Sequence, residues 1–400
     1  MIHAERIHCL PQICTLLTDT SMSATESQNR RQYDQPNAMR LAVFLVYLVV
    51  ALVSLTVRAA SAQGPPLSLG SAALEETFGV NTPLGRFSYQ LGRGLRVGET
   101  GLTVGGFTTA EAEFLQDGER RGGLEELNFL LSFDPVPFAH LFSELGIGTL
   151  AELERGRKGV HSNPHLEVER LYLDLGTSDA LRLRFGKFLT PIGRWNLIRI
   201  EPLLWTTSEP LIVEDVFDDS TTGAMLHGFV FPQGGALSYS LYGAYLPPLD
   251  PEPDEHPVRY SAGAHLEWAS LRGWTIGASY FASQLKNGEW NNLGGADLLW
   301  QPHGRVEVSG EAVFGEGSRR DGMLWGLYAQ TVVETVRTLY LVGRYERFDP
   351  PGGGHGINLF DLGFAWVPVP YLRFKADYLI ADHRHELSEP GFRMSFSFLF

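Results

Sequence analysis

The chain has 400 residues, a formal net charge of −14, 44 glycines and 12% aromatic residues. Such an acidic balance argues against a nucleic-acid partner, whose phosphates call for Lys and Arg. The two cysteines, Cys9 and Cys14, both lie near the start, so disulfide and thiol chemistry are excluded from the rest.

Residues 1–38 are polar and unpatterned. Met39 and Arg40 then open an apolar run, LAVFLVYLVVALVSLTV, followed by Arg58 and by Ala60-Ser61-Ala62. A positive start, an apolar middle and an A-x-A site predict a secretory signal over 39–62, cleaved after Ala62. Met39 then reads as the true start, and 1–38 as a mis-called N-terminal extension. A single membrane anchor is the alternative, the run being at the short end of spanning length. Residues 1–62 carry five basic residues and four acidic ones, so removing that surplus of one leaves −15. Residues 63–100 read as a periplasmic lead-in.

From Gly101 to Phe400 apolar and polar or small residues alternate in segments of about ten residues or slightly more, separated by turn residues. In PVRYSAGAHLEW, Val258, Tyr260, Ala262, Ala264, Leu266 and Trp268 share one face, while Arg259, Ser261, Gly263, His265 and Glu267 share the other. Trp274, Ile276, Ala278 and Tyr280 repeat the pattern. Phe374, Tyr378 and Ile380 oppose Arg373, Lys375 and Asp377, and Val306, Val308 and Phe314 oppose Glu307 and Glu311. Two segments, TTGAMLHGFVF and MLWGLYAQTVVET, fit either phase.

A soluble sandwich also alternates, so the connections decide. About sixteen segments are counted. Links after the even-numbered ones are short (DPVP, GTSD, QGG, ASLRG, QPHG, ETVRT, VPVP). Links after the odd-numbered ones are mostly longer and charged. Short turns on one rim and long loops on the other predict an all-β, antiparallel transmembrane barrel in a bacterial outer membrane. Its oily face would meet lipid, with Trp and Tyr near the interfaces. The end GFRMSFSFLF, with Phe392, Phe396, Phe398 and Phe400 on one face, resembles the C-terminal assembly signal of bacterial outer-membrane proteins.

The third long link is the longest: LTPIGRWNLIRIEPLLWTTSEPLIVEDVFDDS, carrying six carboxylates against two arginines. A connection of that size in a compact fold is usually functional, and it is expected to fold into the bore. Charged side chains at a narrow place set pore selectivity. The expected constriction residues are Arg194, Arg199, Glu201, Glu209, Glu214 and Asp215. The expected pore-lining cations are Arg182, Arg184 and Lys187 on the preceding strand, with Arg344, Arg373 and Lys375.

The stretch ERLYLDLGTSDALRLRFGKFLTPIGRWN, continuing to SEPLI, resembles the phosphate-selective porin O and P family, through a strand–turn–strand ending in F-G-K-F-x-T-P-x-G. The likeness covers roughly an eighth of the chain. It implies a sixteen-stranded, trimeric channel with a cationic, anion-holding pore. The residues depart from that pattern: no dense Lys or Arg ladder is present, and lumen-facing charges are mixed. They fit a passive, weakly selective or cation-leaning porin for small hydrophilic solutes or ions.

Rival readings are a plugged structural or adhesin barrel and an outer-membrane hydrolase. Hydrolysis needs a nucleophile and a base within reach, and His227 and His265 have no Ser or Asp partner at strand-compatible spacing. The Asp382-His383-Arg384-His385-Glu386 run reads as a solvated loop rather than a metal site. No enzyme activity, metal or cofactor is expected.

Overall fold

The computed structural model describes residues 78–83, 85–154, 160–214, 216–244, 246, 258–286, 288–316, 323–350, 356–382 and 389–400. The expected extension and signal lie outside the described residues, as do Asp215 and the histidines of the Asp382–Glu386 run.

Three short strands precede the barrel: β1 (Phe78–Thr82), β2 (Gly85–Gln90) and β3 (Gly94–Val97). They fall within the lead-in, where the sequence suggested no element. Glycines punctuate them, and Gly94 has a φ of 89° with the Val104 carbonyl where a Cβ would stand.

Sixteen long strands follow. They are β4 (Leu102–Leu115), β5 (Arg120–Val136), β6 (Ala139–Glu154), β7 (His165–Ser178) and β8 (Leu181–Leu189), then β9 (Ser220–Val230), β10 (Gly235–Ala244), β11 (Val258–Ser270) and β12 (Trp274–Leu285). The circuit continues with β13 (Trp290–His303), β14 (Val306–Glu316), β15 (Met323–Val336), β16 (Leu339–Asp349), β17 (Ile357–Val369), β18 (Leu372–Ala381) and β19 (Gly391–Leu399). Each pairs antiparallel with the next, and β19 pairs with β4 from Gly391↔Leu115 to Leu399↔Phe107, closing a sixteen-stranded barrel. Past the end of β19 the same edge of β4 is taken by β3, Leu95 opposite Val104. Phe400 seals the junction by exchanging backbone bonds with Gly106, at 2.8 and 3.0 Å. No ladder edge is left open there.

Period-two alternation decides what each face meets. Leu241, Leu266, Ile276, Phe314, Trp325, Phe360 and Tyr378 project outward and are exposed on the barrel wall. Ser261, His265, Asp297, Glu311, Arg344 and Lys375 project inward and are buried. This is the inverse of a soluble barrel, and hydrocarbon is the solvent that suits such an exterior.

The ambiguous β15 resolves with Leu324, Tyr328, Gln330 and Val332 inward and Met323 and Trp325 outward. Its inward side is unusually oily because the loop between β8 and β9 packs on it. Replacing Leu266 by Arg, on the lipid side, is expected to destabilise the folded barrel by about 2–4 kcal/mol near mid-bilayer depth. Ser261→Arg, on the opposite side of the same strand, should not. Urea unfolding in lipid vesicles measures both.

Candidate functional site: the loop inside the bore

The link 190–219 enters the barrel and stays there. Two 3₁₀ turns, Asn196–Ile198 and Glu201–Leu203, and one helical turn, α1 (Leu211–Glu214), give it shape. Its apolar residues Ile192, Trp195, Leu204, Leu211, Ile212 and Val213 join one buried cluster with inward residues of the wall. Those partners include Leu324 and Tyr328 on β15, Phe348 on β16, Ile357 and Leu359 on β17, and Leu379 on β18. At Gly326 a Cβ would come within 2.6 Å of Ile212 Cγ2, so only glycine lets the loop lie this close.

The loop backbone inside the barrel needs polar partners, and carboxylates on the wall supply them. Glu311 accepts the N–H groups of Arg194 (3.0 Å) and Trp195 (2.6 Å) and the Tyr328 hydroxyl (2.8 Å). Glu346 accepts the N–H of Leu211 at 2.7 Å, and Asp377 that of Thr207 at 3.0 Å. Cations bind the loop's oxygens in the same way. Arg344, fully buried, donates to Thr206 Oγ1 (2.6 Å), to the Ser208 carbonyl (2.9 Å) and to Glu346 (2.7 Å), and lies 3.3 Å from Asp361. Its guanidinium also sits 5.4 Å from the Trp195 ring centroid. Lys375, equally buried, pairs with Glu201 and donates to the Thr206 carbonyl at 2.9 Å. Burial pushes the Glu201 carboxyl up, and the Lys375 ammonium pulls it back. Arg373 donates to the Leu204 carbonyl (2.7 Å) and stacks on Trp205, 4.5 Å from the ring centroid, whose indole N–H reaches Glu307 at 2.9 Å.

Arg344, Arg373 and Lys375, expected to line the pore, therefore lie beneath the loop and hold it. Among the expected constriction residues, Arg194 pairs with Glu267, and Glu201 with Lys375. Arg199 pairs with Glu209 (3.2 Å) and with Asp219. Glu214 is exposed and lines a hollow with Glu113, Arg121 and Arg393 towards the long-loop rim. On the strand before the loop, Arg182 pairs with Asp179 at the turn (2.7 Å), and Arg184 grips Asp174 through two nitrogens (2.7 and 2.8 Å) while lying 3.7 Å from the Tyr172 ring centroid. Lys187 is buried within electrostatic reach of Glu169.

The loop's other side leaves a polar cavity against β5–β8. Arg199, Glu201, Glu209 and Asp219 line it from the loop, and Glu126, Asn128, Glu144, Glu169 and Arg170 line it from the wall. The wall carboxylates were absent from the expected site. EELNF and ERLYL each place adjacent charges beside a register shift, at Glu125 on β5 and at Glu169 on β7, which blurs the phase that would have marked them as inward.

Both lumen histidines do have acid partners. His227 lies 3.4 Å from Asp174 across β8, and His265 3.2 Å from Asp297 across β12. The sequence reading missed them because they come from strands two places away. Neither histidine hydrogen-bonds a serine among the described residues.

No family model matches the chain. An uncharacterised protein of Aquifex aeolicus aligns at 22% identity over 351 residues, spanning 70% of this chain and 79% of that one. OmpF of Salmonella typhi, solved in complex with daunomycin, superposes on 75% of this chain and 97% of its own, with a TM-score of 0.56 at 10% identity. OmpT, an outer membrane protein of Vibrio cholerae, does so over 75% and 97% with a TM-score of 0.52 at 10% identity. An in-vitro folded OmpT, described as a trimer form, gives 0.51 at 11% identity, over 75% of this chain and 99% of its own. The chain has the barrel fold of these outer-membrane proteins. At such identities the likeness is one of architecture.

Arg344 holds the loop to Glu346 and Asp361. Arg344→Met should destabilise the barrel by about 3–5 kcal/mol, since two buried carboxylates would lose their cation. Chemical unfolding of the variant, followed by tryptophan fluorescence, checks this.

Proposed function

We propose that this protein is a porin: a passive channel through the outer membrane for small hydrophilic solutes and ions, working down gradients without cofactor or catalysis. The observation that carries the reading is the polar cavity left between loop and wall. The inserted loop fills the β14–β18 side of the bore with apolar packing, yet its opposite side carries charge facing charge across a cavity. A plugged structural barrel has no need of that second, polar side. A hydrolase is not favoured, because neither acid-paired histidine hydrogen-bonds a hydroxyl among the described residues, although Ser240 lies between them on β10.

Selection is expected to be weak, through size and net charge. The lining cations Arg170 and Arg199 are already engaged by carboxylates, which does not favour a phosphate-holding pore of the kind the family resemblance implies. Assembly as a homotrimer is part of the same proposal, supported by the fold shared with a protein described in trimer form.

Purified protein in planar bilayers should give stable, ohmic conductance steps. In vesicles, uptake of neutral sugars should slow steadily with solute size and show no saturation. Absence of steps at any voltage would sink the channel reading in favour of a plugged barrel.

A further inference from the structure

We propose that the short-turn rim binds anionic phospholipid headgroups of the periplasmic leaflet, through arginines confined to one arc, from the β11–β12 turn to the β15–β16 turn. The inference concerns the outside of the barrel and is independent of the channel reading.

Seven links join the barrel strands at the rim of short turns, the side that outer-membrane barrels present to the periplasm. Charge is placed unevenly among them. Three consecutive links, 271–273, 304–305 and 337–338, carry Arg272, Arg305 and Arg337, one each, and no carboxylate. All three arginines are exposed. The other four links, 137–138, 179–180, 231–234 and 370–371, carry no Lys or Arg. Beside 179–180, Arg182 is already taken by Asp179. The turn between β2 and β3 lengthens the arc. Exposed Arg93 follows Gly92 there, and a Cβ on Gly92 would stand 2.9 Å from Tyr371 Cβ, on the link after Arg337. In a chain of formal charge −14 this is a segregated patch, and Arg93, Arg272 and Arg305 form no ion pair among the described residues.

The surroundings of these arginines select a lipid surface. Leu271, 84% exposed, precedes Arg272, and Val336, 61% exposed, precedes Arg337. Against a hydrated polymer such apolar side chains gain nothing. At a leaflet they enter the acyl boundary while the adjoining guanidinium stays among the phosphates. Trp268, Trp274 and Trp300 project outward on the same strands, Trp274 directly opposite Trp300, and mark that depth, since indole rings settle at headgroup level. The arginine turns come next beyond this girdle. Neighbouring turns are two strands, about 10 Å, apart, so the arc offers separate guanidiniums, each able to take a phosphate through two nitrogens. Each such cation near an anionic lipid surface strengthens binding about fivefold.

Native mass spectrometry of the full chain in neutral detergent, offered equal amounts of phosphatidylglycerol and phosphatidylcholine, is the test. The unaltered protein should retain phosphatidylglycerol in preference. Arg272→Gln should lower the ratio of the two lipid adducts about fivefold, with the circular dichroism of the sheet retained as proof of a folded barrel. Arg305→Gln provides the same reading should the first variant not assemble, and removing Arg272, Arg305 and Arg337 together should abolish the preference. Arg259→Gln, exposed at the opposite rim, should leave it unmoved. Equal retention of both lipids, a preference that survives the triple variant, or an equal loss in Arg259→Gln would each overturn the assignment. So would arginine-dependent sedimentation with isolated peptidoglycan in place of a lipid preference. None of these readouts involves conductance, so the channel reading is left standing by any of them.

Discussion

The structure depends on one requirement: a chain folded into the middle of a membrane barrel must have every backbone N–H and C=O satisfied from the side. Sixteen strands meet that requirement by pairing around a closed circuit. The inserted loop cannot pair, so the wall provides Glu311, Glu346 and Asp377 as acceptors and Arg344, Arg373 and Lys375 as donors. These groups are costly to bury singly. They persist because each is matched by a loop atom or by a countercharge. The loop and the charged strip of wall therefore need one another.

This dependence divides the bore into two unlike halves. Where α1 meets β15–β18 the interior is dry and packed, much as in a soluble protein, with Leu211, Ile212 and Val213 fully buried. On the β5–β8 side it is polar and holds a cavity lined by charged groups. The two halves explain why lumen-facing charges serve different ends. Arg344 and Lys375 fasten the loop, whereas Glu126 and Glu169 face the cavity.

The barrel was largely legible in the amino-acid order. Strands such as β11 and β12 alternate cleanly because lipid lies on one side and polar lumen on the other, and the alternation of short and long links carries the up-and-down connectivity. Legibility failed where that contrast failed. The inward side of β15 is oily because it serves as the loop's seat, so its phase could be read either way. The strands β1–β3 are too short for a period to show. The loop's own composition marked it as special, but its partners sit on strands a hundred or more positions later, Glu311 opposite Arg194 being one case. Nothing local in either segment distinguishes a lumen carboxylate that grips backbone from one that faces the passage.

Gly326 has a consequence for the calibre of the passage. The loop rests on β15 with no room for even a methyl group between Gly326 and Ile212, and the Phe348 ring crowds the same spot at 2.8 Å. A bulkier residue there has nowhere to go but outward from the wall, carrying the loop ahead of it into the gap. The bore's free width is in this sense set from behind, by a position that lines none of the polar cavity.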